Sequence, residues 1–158
     1  MLERSRGFLE KHEVSLRSAA LLLVRLSAGI VFAQSGWGKL HNLEQLVAFF
    51  RELGIPAAEL QAPFVSGLEL AGGIALILGV ASRFLALPLI GTMVVAMLTA
   101  KASEVEGWTD VLGFIEWHYL VFFAVVVLCG PGTLSIDHLL GKRLFKPAAH
   151  PPAVAQPA

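Results

Sequence analysis

The sequence predicts an all-α integral membrane protein, a four-helix bundle with both chain ends on the cytoplasmic side. Three observations carry that reading. Of 158 residues, 56% are hydrophobic and 15% charged, and the mean hydropathy is +0.71; a water-soluble domain carries nearer about 25% charged residues. A chain this short also leaves a large fraction of its surface outside any core it builds, so that much apolar surface has no place in water. Third, the apolar residues gather into four stretches, over 18–38, 63–82, 84–100 and 111–130, each near the roughly 20 residues that a helix needs to cross a bilayer. The same composition excludes disorder and a disulfide scaffold, since Cys129 stands alone. Twelve basic residues balance twelve acidic ones, so no nucleic-acid partner is expected.

The N-terminal segment 1–17 is basic and precedes span one. Arg25 inside that span argues against a cleaved leader despite the Val31-Phe32-Ala33 stretch. In the first outer loop, Asn42 with Gln45 three residues on predicts a capping box. Leu43, Leu46, Val47, Phe50 and Leu53 then share the face of a short amphipathic helix that Gly54 and Pro56 end. Spans two and three are separated only by Ser82-Arg83, which makes 63–100 a tight hairpin. Residues 103–110 form an acidic outer loop with Trp108 at headgroup level. Gly130-Pro131-Gly132 ends span four, and 134–145 resumes an amphipathic helix capped by Ser135 or Asp137. The membrane domain thus covers 18–140, and 141–158 is a basic, then Pro/Ala-rich disordered tail. Eight basic residues flank the inner side (Arg4, Arg6, Lys11, Arg17, Arg83, Lys142, Arg143, Lys146) against Lys39, Arg51 and Lys101 outside. That asymmetry places both ends in the cytoplasm.

Arg25, Glu69, Glu116 and His118 lie inside the spans, with Lys39 and Lys101 at span ends. A charge at mid-bilayer costs about 2.5–3.5 kcal/mol, so such groups face inward and find partners. At about 1.5 Å per residue, Glu69 falls roughly 9 Å below the outer edge, level with Glu116 and His118 on the descending fourth span. Lys39, Glu69, Lys101 and one of Glu116 or His118 therefore converge in the outer half, with Arg25 near the midplane. Glu116 and His118 are two residues apart and point nearly oppositely; if Glu116 faces inward, Tyr119 and Phe123 go with it. Gly29 and Gly36 share the face of Arg25 and Lys39, while Gly72 and Gly73 share that of Glu69. Gly67, Ala71, Ala75 and Gly79 form a separate row suited to close helix packing. Two readings fit: ion pairs that let polar spans pack uniquely, or glycines that leave a polar cavity for protons or a small polar or quinone-like molecule.

Several chemistries lack their residues. A bis-histidine haem needs a second histidine beside His118, and His41 and His138 sit at opposite surfaces. No Cys-x-x-Cys, metal-ligand spacing, phosphate loop or serine nucleophile motif is present. There is no self-contained catalytic motif.

Arg25-x3-Gly29-x6-Gly36-x2-Lys39-Leu40, Leu53-Gly54-Ile55-Pro56, Glu69-x2-Gly72-Gly73-x5-Leu78-Gly79 and Gly130-Pro131-Gly132-x2-Ser135-x-Asp137 occur in that order. In this the chain resembles the DoxX family over about 18–140. The resemblance implies a four-helix bacterial inner-membrane protein. It further implies a membrane subunit supporting a quinone-linked or oxidative-stress-related oxidoreductase, with a soluble redox protein or another membrane subunit as partner. Arg25, Lys39 and Glu69 match the family pattern. Members often carry a histidine near the end of the third span, where this chain has Lys101, which counts against a histidine-dependent redox role. A non-enzymatic scaffold that docks a partner through 43–53 or 134–146 is the alternative. A small proton-coupled transporter, which four short spans would support only as a homo-oligomer, is a third.

Overall fold

The computed structural model describes residues 2–144, with side chains from 16 to 140. Their regular elements are all helices: α1 (Leu2–His41), α2 (Leu43–Glu52), α3 (Ala58–Leu78), α4 (Ser82–Thr99), α5 (Trp108–Gly113), α6 (Ile115–Cys129) and α7 (Ile136–Leu144), with a 3-10 turn at Ala102–Glu104. The side chains of Arg4, Arg6, Lys11, Lys142 and Arg143, together with the expected disordered tail from Phe145 onward, lie outside the described residues.

Among the described residues, three helices are long and apolar enough to cross a membrane: Leu16–His41, Ala58–Leu78 and Ser82–Thr99. The expected fourth span is divided instead. Phe114 adopts an extended conformation (φ −70°, ψ 141°) between α5 and α6, leaving a 15-residue apolar helix. Gly113, which fixes no helical geometry of its own, stands at the break. The second span begins at Ala58, five residues before the expected start, because α3 tolerates Pro63 in its second turn, where only the bond to the Glu59 carbonyl is forfeited. The hairpin turn falls at 79–81 rather than at Ser82-Arg83. Gly79 (φ 72°) donates its N–H to Ala75 O at 2.8 Å, Val80 does so at 3.0 Å, and Ala81 is also left-handed (φ 48°). This is the Schellman closure that a C-terminal glycine permits.

Helices α1, α3, α4 and α6 run alternately up and down, α1 packing on α3 and α6, and α4 packing on α3 and α6. The core lies between them, built from Ala28, Phe32, Leu76, Ala86, Leu89, Met93, Phe123 and Val126. Phe32 meets Phe123 and Tyr119 edge to face, with centroids at 4.9 and 5.1 Å. Leu23, Leu60, Phe64, Phe84, Leu98 and Leu128 are exposed on the outside of the bundle, a patch pattern that lipid accepts and water does not.

The glycines expected to open a cavity do the reverse. A Cβ on Gly36 would lie 2.6 Å from the Ser66 carbonyl oxygen, one on Gly73 2.7 Å from the Gly29 carbonyl oxygen, and one on Gly29 2.9 Å from the Gly73 carbonyl oxygen. Gly72 is filled in the same way by Leu89 of α4. Backbone rests on backbone along α1 and α3, as small residues allow in lipid. The expected packing row does not carry this contact: Gly67 has open space beside it and Ala71 is exposed. The row that does is Ser66, Leu70 and Gly73, turned by one residue, or about 100°.

Gly36→Ala should therefore lower stability in detergent micelles by about 1–3 kcal/mol, as overpacking does. Gly67→Ala should be neutral or slightly stabilising, since it removes only glycine's entropic penalty. Equal unfolding midpoints for the two variants would refute the backbone contact.

Candidate functional site

At the end of the bundle that carries α2, the helices enclose a cavity of about 460 Å³. Its wall is largely apolar, from Val31 and Phe32 on α1, Phe64, Val65 and Leu68 on α3, and Met93, Val95 and Ala96 on α4. Phe64, Pro88, Gly91 and Val95 line it and are also exposed, so the wall between α3 and α4 borders the lipid-facing surface. The apolar face of α2 closes the end: Leu46, Phe49, Phe50 and Leu53 line the cavity. The residues on which a docking role for this helix rested, Leu46, Phe50 and Leu53, are thus turned inward. The expected capping box is absent; Asn42 Nδ2 donates to the Gly38 carbonyl at 2.9 Å and prolongs α1 instead. Gly54 does end α2, with Ile55 N–H returning to Phe50 O at 2.9 Å.

Lys39 and Glu69 form the polar centre. Lys39 Nζ lies 2.6 and 2.7 Å from the two carboxylate oxygens, and Ser35 Oγ donates to Oε2 at 2.9 Å. Glu69 is 2% exposed, so its charge is stable only because those donors replace water. Ser35 was not singled out from the sequence, although its place one turn before Lys39 on the same face is the signal that would have found it. Glu116 lines the cavity too, with Tyr119 one turn further on. Its Oε2 is enclosed and has no hydrogen-bond partner among the described residues. His118 is exposed, its Nδ1 2.8 Å from the Phe114 carbonyl.

Two expected members of this group lie elsewhere. Lys101 is drawn to Glu104, with Nζ 2.9 and 3.0 Å from its oxygens, and sits over the Phe114 ring. The Glu104 hydrogen bond holds its ammonium above the usual lysine range, helped by the charges of Glu104 and Glu116. It does not line the cavity because α4 ends at Thr99 and the 3-10 turn carries it outward. Arg25 is fourteen residues before Lys39, about 21 Å along α1, and belongs to the opposite end. There it is 1% exposed. Its Nε donates to Leu76 O at 2.8 Å, Nη2 to Ile77 O at 3.1 Å, and Nη1 to Leu134 O at 3.1 Å and to Pro131 O. The expected carboxylate partner is replaced by carbonyls, because the last turn of α3 has carbonyls with no helical donor and a negative dipole end.

The other motif residues gather around that guanidinium. A Cβ on Gly79 would fall 2.6 Å from Ser135 Cβ and 2.8 Å from Arg25 Cζ. Asp137 accepts from the Ala81 N–H at 3.0 Å and donates its own N–H to Gly79 O at 3.0 Å. Ser135 caps α7, accepting from His138 N–H at 3.2 Å and donating to Gly132 O at 2.7 Å. Among the described residues no group of three or more His, Cys, Asp or Glu side chains could hold a metal ion.

Losing either Lys39 or Glu69 alone strands the other charge. Glu69→Leu or Lys39→Met should each cost roughly 3 kcal/mol, the low end for a buried pair because Lys39 keeps a 34% exposed side chain. The double variant should recover most of that loss, and additive losses in a thermal-unfolding cycle would refute the coupling. Arg25→Lys should destabilise by about 3 kcal/mol or more, since one ammonium cannot serve four diverging carbonyls; an unchanged melting temperature would contradict the assignment.

The model of the DoxX family matches residues 20–102. The inner membrane protein YqjF of Escherichia coli is 28% identical over 81% of this chain and 97% of its own length. CatD of Bacillus subtilis, named provisionally as an oxidoreductase, is 28% identical over 77% of the chain and 87% of its own. The membrane protein Rv3486 of Mycobacterium tuberculosis is 30% identical over 78% and 83%. No solved structure is significantly similar to the chain. With more than half of its residues matching the family model, and relatives that align over most of its length, the chain belongs to the DoxX family of membrane proteins.

Proposed function

We propose that this protein is a membrane subunit of an oxidoreductase and that its cavity holds a lipid-soluble carrier of the quinone type. The observation that carries the reading is the cavity itself, about 460 Å³ and mostly apolar, with one buried ion pair and one unpartnered carboxylate oxygen. Small-molecule sites have that character, apolar walls with a few placed polar groups. The exposed lining between α3 and α4 gives a hydrophobic molecule a way in from the lipid. Lys39 would meet a ring carbonyl, while Glu116 and Tyr119 would hand protons to the ring as it is reduced and take them back as it is oxidised. The electrons would come from a partner enzyme. The provisional naming of CatD as an oxidoreductase supports the same class. Docking through α2 is disfavoured, since Leu46, Phe50 and Leu53 line the cavity.

In this reading the chain ends and α7 lie in the cytoplasm and the cavity opens in the outer half of an inner membrane. Cysteines placed at Glu52 and Glu106 should then react with a membrane-impermeant maleimide in intact cells, and one at Leu140 should not; the opposite pattern would invert the topology.

The ligand itself is tested by purifying the protein with its native lipids and measuring quinone by mass spectrometry. About one quinone per chain is expected. Gly91→Phe adds a ring where a Cβ meets nothing within 4 Å, so it should block the slot without unfolding the bundle. It should cut retention about tenfold or more, the size of losing one well-made contact set. An empty cavity in the unaltered protein, or full retention in Gly91→Phe, would sink the proposal.

A further inference from the structure

A second cavity, of about 450 Å³, lies at the opposite end of the bundle and plays no part in the reading above. Its lining includes Arg17 on α1, Arg83 at the start of α4, Cys129 and Gly130 where α6 ends, and Asp137 and His138 on α7. Arg17 and Arg83 are exposed, and no carboxylate among the described residues pairs with either. Asp137 lines the cavity beside them; its Oδ1 accepts from the Ala81 N–H at 3.0 Å and it forms no ion pair with either arginine. The loop is shaped to receive one of the guanidiniums. At Gly130 (φ 80°) a Cβ would lie 2.8 Å from Arg83 Nη2 and 3.1 Å from its Cζ and Nε, so the missing side chain leaves the place that the guanidinium fills. Leu16, Leu128 and Leu134 stand beside these lining residues in the chain and are 70%, 78% and 54% exposed, surface fit for acyl chains.

We propose that this cavity binds the phosphate of an anionic phospholipid, gripped between Arg17 and Arg83. Two unpaired guanidiniums facing one space at the end of the apolar spans suit a phosphodiester, which accepts the paired N–H donors of arginine. Basic pockets at this level between membrane helices take anionic headgroups. A free phosphate ion offers the same oxygens; the flanking leucines favour the lipid.

The test uses the full-length protein reconstituted in vesicles of equal phosphatidylglycerol and phosphatidylcholine, gently re-extracted and weighed by native mass spectrometry. Phosphatidylglycerol should be retained over phosphatidylcholine by about tenfold or more, the weight of two basic groups near the surface. Arg17→Gln with Arg83→Gln should bring that ratio close to one, whereas Arg51→Gln at the other end should leave it unchanged. Arg17→Lys with Arg83→Lys keeps the charge without the fork and should fall between; it also serves if the glutamine pair fails to fold. Equal retention of the two lipids by the unaltered protein would overturn the proposal. So would a ratio unaffected by either double variant. Loss of the bound lipid to millimolar inorganic phosphate would assign the site to the free ion and overturn the lipid assignment.

Discussion

One buried guanidinium organises this bundle. Arg25 donates to carbonyls of the last turn of α3 and of the loop that follows α6, joining three chain segments that are far apart in sequence. In lipid no water stands ready to satisfy those carbonyls, so a donor must come from within the protein. A charge at that depth is tolerable for the complementary reason, that each of its three nitrogens has a carbonyl acceptor. The turn between α3 and α4 depends on the same cluster, since Asp137 holds the left-handed Ala81 in place from α7. With one end tied and α1 lying backbone to backbone on α3, the cavity forms at the other end, lined by α1, α3, α4 and α6 and closed by α2.

Much of the fold was legible because lipid imposes a simple rule on length and polarity. Spans one to three, the stop at Gly54 and the helix at 43–53 follow from apolar runs and local turn chemistry, which also narrow the α7 cap to Ser135 or Asp137. The misses have physical causes. Glycines at helical spacing look the same whether they leave room for a ligand or for another backbone, and only the partner helix decides between them. Arg25 and Lys39 share a face, but a face is about 21 Å long between them, and sharing it does not bring them together. The interruption at Phe114 is hidden because the residues on both sides of it are mostly apolar, and hydropathy does not register one extended residue. Asn42 offers the same side-chain amide to the helix before it as to the helix after it, and the sequence contains no preference.

The candidate site was legible in part. The convergence of Lys39 and Glu69 follows from depth and phase alone, and Glu116 rather than His118 lines the cavity. Lys101 drops out for a reason that spacing cannot express: Glu104, three residues away, is a nearer and more accessible partner than anything inside the bundle. The residues on which the family resemblance rested divide between the two ends. Lys39 and Glu69 belong to the cavity, whereas Arg25, Gly79, the Gly130-Pro131-Gly132 turn, Ser135 and Asp137 belong to the clasp. Most of that signature therefore records how the bundle is fastened, and less of it records chemistry.

The break at Phe114 has a consequence for the membrane around the protein. The apolar part of α6 is 15 residues long, about 22 Å, against a hydrocarbon thickness of about 30 Å. The three other helices reach further. A bilayer meeting a short wall on one flank and full-height walls on the others thins on the short side. In the proposed orientation such thinning would draw the outer leaflet inward beside the N-terminal end of α6, where Glu116 stands in the first turn. Headgroups and their water would then come nearer to Glu116, whose Oε2 is enclosed with no hydrogen-bond partner among the described residues, and the proton exchange proposed for that carboxylate would need only a short path to water.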